Sequence, residues 1–489
     1  MRSNKIKNQH LMWRAGFGPS AEQLAQLDNI TPQQLFKALQ KASVKEPAYI
    51  DVADNYLKGL MMGIGEAGRR EKKKNLDADE KKLVRNKQRE SLKNLNLYWL
   101  NEMISSEAQL REKMAFFWHG HFASRNLNIF FQQQLLHVIR KNALSNFRDL
   151  LHEVSKSAAM LNFLNAQQNK KGHPNENFAR EVMELFTMGR GNYSENDIKE
   201  AARAFTGWSA NAQGDFQFRK FQHDEGNKTI FGKTANFNGE EVLDILLEQK
   251  ATAYFITKKI YSFFVNENID STKVNWLAER FYNSDYNISG LLEDIFTSDW
   301  FYEEENIGSK IKSPIELIAG MQRMLPMELD NEESMLLLQR ILGQLLFYPP
   351  NVAGWPGGKA WIDSSSLMMR MRLPQLITDK DELNVRPKTD DDVMGGRTEN
   401  GEANTDKPKR GYGKVGKPIM AEIEWQLYTK NFESIPREQL LVAMQSSLLQ
   451  IKPGFSQALI KNYSDSSGRE NFIKTATIQI MSTPEYQLC

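Results

Sequence analysis

HPNENFAREVMELFTMGRGNYSENDIKEAARAFTGW, residues 173–208, reads as two helices around a glycine turn. Pro174 and Asn175 open the first helix and Gly189 closes it. Phe178, Val182, Leu185 and Phe186 form its apolar face, and Asn177, Glu181 and Glu184 run along an adjoining stripe at spacings of four and three. Ser194 with Asp197 gives the second helix a capping-box start, and Gly207 gives its stop. Its stripe is Ile198, Ala201, Ala202 and Phe205, with alanines small enough for close approach to a neighbouring helix.

The same helical spacing holds over most of the chain, with few alternating stretches. The expected fold is therefore mainly α: a large helical globular domain with a small β-hairpin and a charged helical arm. Residues 20–42 read as two short helices, Ser20 capping one and Thr31-Pro32 opening the next. Residues 66–95 are almost pure mixed charge and read as the solvated arm. The helical region from Trp99 runs to about residue 165. Phe216–Phe221 alternates, and with Lys228–Phe231 it suggests a hairpin within 214–232. Helical spacing resumes to about residue 345. YPPNVAGWPGGKAWID, residues 348–363, is an ordered-loop composition. The main domain is read as 1–375, its core formed by residues 99–375. Residues 376–419 are a flexible polar insertion, and 420–489 a helical section completing the same domain.

Composition narrows the class. The 489 residues are 40% apolar and 25% charged, which is globular. Sixty-three basic and 61 acidic residues leave a net charge of +2, so no general attraction to nucleic acid is expected. The single cysteine, Cys489, excludes an internal disulfide and a multi-thiolate zinc site. No apolar run reaches the ~18–20 residues of a membrane span. The N-terminus lacks the apolar core of a secretory signal, so a cytoplasmic location is expected, with export by another route left open.

Three constellations carry candidate chemistry. In MAFFWHGHF, His119 and His121 would stand about 200° apart on an ideal helix and could not share a metal. A break at Gly120 would let both chelate; an unbroken helix makes His121 a hydrogen-bonded core histidine. Glu181 lies about 60° from the apolar arc of its helix and so needs a partner. Arg180 and Glu184, four apart, offer one pairing, and Arg203 is another candidate partner. His223 and Asp224 sit in a polar turn. Imidazoles with carboxylates suit zinc, iron or manganese. There is no His-Glu-x-x-His, no phosphate-cradling glycine loop and no Gly-x-Ser-x-Gly elbow.

HLMWRAGFGPS (10–20), EKMAFFWHGHFAS (112–124), the 175–208 stretch, HDEGNKTIFG (223–232), PPNVAGWPGGKAWIDSS (349–365) and MSTPEYQLC (481–489) together resemble the bacterial domain-of-unknown-function 1800 family. The resemblance implies a mostly helical protein. It also implies an exported or envelope pathway shared with a sulfatase-like partner protein. In many relatives the ELFT stretch is similar to Glu-Leu-His-Thr; here Phe186 replaces that histidine.

The leading expectation is a metal-assisted hydrolase acting on an envelope component. His119, His121, His223 and Glu181 would be ligands of a divalent metal, Glu184 the general base and Arg180 the stabiliser of developing charge. The alternative is a non-enzymatic scaffold or assembly partner, in which the same polar residues form a buried network. Neither reading involves nucleic acid or a membrane span.

Overall fold

Side-chain caps set many helix starts. Thr31, Ser194, Asn238 and Ser313 each accept from the third backbone amide of the helix they open, and Gln34, Asp197, Glu241 and Glu316 return the bond. Ser20 opens a 3-10 turn, Ala21–Gln26, in place of the first expected α-helix. The computed structural model describes residues 3–62, 76–329, 331–378 and 421–489. Its described residues are mainly helical, with three two-stranded antiparallel sheets.

The strands do form small hairpins, but with partners other than those expected. β1 (Trp208–Ala210) pairs with β2 (Phe216–Phe218), and β3 (Lys228–Ile230) pairs with β4 (Lys233–Ala235). Each strand thus takes its sequence neighbour, the pairing that closes the shorter loop. β5 (Met327–Leu329) pairs with β6 (Ala421–Ile423), which joins the C-terminal section to the main body.

One helix, Ala78–Ser105, carries the described part of the charged stretch straight into the core. Its first turns are polar. From Ser91 onward Leu92, Leu95, Trp99, Leu100 and Met103 are buried. Lys87 pairs with Asp54 at 3.2 Å and Lys93 with Glu333 at 2.8 Å, so residues 78–95 lie against the body rather than apart from it. Residues 66–75 of the expected arm and 379–419 of the expected insertion lie outside the described residues. Residues 376–378 end the helix Ser364–Thr378.

Apolar side chains from Leu11 to Tyr486 belong to one contiguous cluster. Inside it sits Glu112, fully buried. Arg140 Nε and Nη2 donate to its two oxygens at 2.9 and 2.8 Å, and Trp99 Nε1 and Arg111 Nε donate at 3.0 Å each. This fork ties the helices 78–105, 109–121 and 129–142 together. The loop 348–363 docks on the end of helix Gln109–His121: Gly354 takes φ +84°, and a Cβ there would strike the Gly120 carbonyl oxygen.

Candidate functional site

The helix Gln109–His121 is unbroken, so His119 and His121 point to different surroundings. Both are 3% exposed. His119 Nε2 accepts from the Phe347 amide at 3.2 Å, and its ring lies against Trp99, Phe347 and Trp355. Burial pushes its pKa down to about 3. It therefore braces the left-handed Phe347 (φ +67°), a conformation that needs external support in a residue with a Cβ.

His121 faces the other way. Its Nε2 lies 3.1 Å from the Phe186 carbonyl oxygen, and its Nδ1 lies 2.8 Å from Lys259 Nζ. A carbonyl only accepts, so Nε2 carries the proton and Nδ1 is left to accept from Lys259. Burial, with the Lys259 charge, keeps this imidazole neutral, its pKa well below the ordinary value. Phe186 sits in a π turn, Val182–Thr187, that continues the helix Asn177–Glu181 and packs on the helix Lys250–Phe264 bearing Lys259.

The other expected site residues are placed elsewhere. Arg180 is held by Glu195 at 2.7 Å and Glu176 at 3.1 Å, which raise its pKa. Glu184 accepts from Arg190 and from the Tyr193 hydroxyl (2.8 Å), which outweigh burial and lower its pKa. Glu181 is half-buried and makes no hydrogen bond or ion pair among the described residues; burial and then Glu184 raise its pKa. His223 is buried, its Nδ1–H donating to the Thr206 carbonyl at 2.9 Å. Asp224 is gripped by Arg203 (2.8 Å), and its pKa falls to about 2. Arg203 thus serves Asp224 and Glu200, not Glu181. The expected ligand set His119, His121, Glu181 and His223 does not assemble: among the described residues no three His, Cys, Asp or Glu side chains are grouped to hold a metal ion. Each imidazole is instead taken up by a partner in its own surroundings, His119 by the Phe347 amide, His121 by Phe186 and Lys259, and His223 by Thr206.

What does assemble is a cavity of about 250 Å³ beside His121. Lys259, Lys310, Glu267 and Glu316 face it, and Trp355 and Trp361 of the loop give it flat aromatic walls. Glu316 is spoken for. Burial would push its carboxyl up, but Lys113 and Lys310 outweigh this and hold it down to about 2, with Lys113 bonded directly to it. Burial lowers Lys259 to about 8 and Lys310 to about 8. Behind the wall lie more buried cations. Lys312, lowered to about 7, stands 3.8 Å over the Trp13 and Tyr486 rings. Arg14 donates to the Val265 and Asn306 carbonyls at 2.9 Å each. Arg370 Nη1 donates to the Lys312 carbonyl at 2.9 Å, while its Nε and Nη2 find no partner among the described residues. At the wall itself Lys259 and Lys310 stand against Glu267 and Glu316, and the further cations, Lys113, Lys312, Arg14 and Arg370, lie behind it. None of these lysines stood out in the sequence. The available signal was Lys258-Lys259 inside the apolar run YFITKKIYSFF, where a charged pair needs a reason.

No curated protein and no solved structure gives a significant match. A family model described as "Protein of unknown function (DUF1800)" matches residues 10–488, nearly the whole chain, and so spans the motifs quoted above up to Leu488. The chain belongs to that family.

Proposed function

We propose that the protein acts on a small organic anion held in the cavity beside His121, by acid–base chemistry that uses Lys259 as proton donor, its ammonium oriented by the Nδ1 acceptor of His121. The observation that carries this reading is the Lys259 Nζ to His121 Nδ1 contact of 2.8 Å at the cavity wall, with the imidazole's tautomer set by Phe186. An ammonium with a pKa near 8 is matched to proton transfer near neutral pH. The lysines at the wall, with the cations behind it, favour a ligand bearing carboxylate, sulfate or phosphate. The tryptophan walls favour a flat ring or sugar face next to that group. The metal-assisted hydrolase reading would need imidazoles that are committed to Phe347, Phe186 with Lys259, and Thr206 to turn toward one another.

Calorimetric titration with glucuronate, benzoate and inorganic phosphate tests this. Lys259→Met and Lys310→Met should each weaken the best anion at least tenfold, and His121→Gln should leave binding largely intact. Affinity should fall between pH 7 and pH 9.5, since both lysines lose their protons near 8. Anion binding unchanged in both lysine variants, or absent throughout, would refute the reading.

A further inference from the structure

A second surface, sharing no residue with the cavity lining, collects cations without ion pairs around exposed phenylalanines. The short connection after β2 runs Arg219-Lys220-Phe221, with Lys220–Gln222 forming a 3-10 turn. The turn 170–173 packs beside it: the Lys171 amide donates to the Gln222 carbonyl at 2.8 Å, and Lys170 bridges His173. Asn169 and Gly207 complete the join, since the Gly207 amide donates to Asn169 and the Gly207 carbonyl accepts from Arg219. Lys170, Lys171, Arg219 and Lys220 make no ion pair among the described residues. Of the nearby acids, Asp224 is already engaged by Arg203, and Asp215 is held by Asn211. Glu225 is the exposed acid on the following turn.

Phe221 is 82% exposed and Phe218 45%. The Phe221 ring touches no other aromatic ring or cation among the described residues. A phenylalanine left in water on a turn flanked by cations is a costly arrangement for a monomer and a favourable one at an interface that is both anionic and apolar.

We propose that this face, built from Lys170, Lys171, Arg219, Lys220, Phe218 and Phe221, is a contact surface for an anionic lipid bilayer. The cations meet the headgroups and Phe221 enters the acyl boundary. The patch lies on short turns with a single protruding ring. A single-stranded nucleic acid would call instead for a groove with successive stacking residues. No described helix is long and apolar enough to cross a membrane, so the contact is peripheral and reversible. It does not depend on the proposed chemistry of the cavity.

Co-sedimentation of the full chain with vesicles tests it. Vesicles of equal parts phosphatidylcholine and phosphatidylglycerol should bind the protein, and phosphatidylcholine alone should not. Lys170→Glu with Lys171→Glu, and separately Phe221→Ser, should each reduce binding about tenfold or more, while Tyr463→Ser, exposed elsewhere, should not. Phe221→Trp should show blue-shifted fluorescence on the anionic vesicles. Retained binding in the variants, equal binding to neutral vesicles, or no binding would overturn the proposal. Tighter, patch-dependent binding to polyuridylate than to vesicles would also overturn it, in favour of a polyanion surface.

Discussion

At the residue scale the two histidines of MAFFWHGHF show how neighbours in sequence acquire unrelated duties. His119 supports a strained backbone and His121 couples a lysine to a carbonyl. Both are neutral in the folded chain and titrate normally once unfolded. Below pH ~6.5 the unfolded state therefore binds more protons, and stability falls as pH falls, by about 1.4 kcal/mol per pH unit for each such histidine. For His119 the loss continues to about pH 3. His119→Gln keeps an acceptor for the Phe347 amide and removes that proton. Thermal melts from pH 7 to 4.5 should therefore show a shallower acid decline than wild type. An unchanged slope would mean that His119 is charged in the fold.

The loop that walls the cavity illustrates the scale of the element. Its seating depends on close backbone approach, which is why Gly354 sits on Gly120 at φ +84°. Gly354→Ala forces both an unfavourable backbone region and a collision with the Gly120 carbonyl, and should cost about 1–3 kcal/mol in urea unfolding. Because Trp355 and Trp361 move with the loop, anion affinity should fall as well. Loss of stability with full affinity would show that the loop does not shape the site. Helix starts at Thr31 and Ser194 were readable because a cap is a local interaction within four residues. The π turn Val182–Thr187 was not readable: it shares its residue types with an α-helix, and packing against helix Lys250–Phe264 accompanies it.

For the whole molecule, the decisive polar groups are those buried far from their sequence partners. Glu112 is satisfied from three helices at once. Glu112→Gln should destabilise the chain by about 3 kcal/mol, because it removes the buried carboxylate from Arg140 and Arg111 and leaves Arg140 only the partly exposed Glu102, at 2.7 Å, as counter-charge. A change within error in chemical denaturation would mean that the fork is dispensable. By contrast Arg180 and Glu184, which the sequence singled out, pair near the surface with Glu195 and Arg190 and should matter little to stability. The sequence by itself determined the mainly α class, the capped helix starts, the ordered proline–glycine loop and the family, since these follow from local periodicity and contiguous motifs. Which strands pair, where the imidazoles point and which lysines converge on a cavity were decided only by tertiary structure. The cavity forms where groups far apart in the chain, such as His121 and Lys259, meet and where burial removes water and gives a charge its altered chemistry.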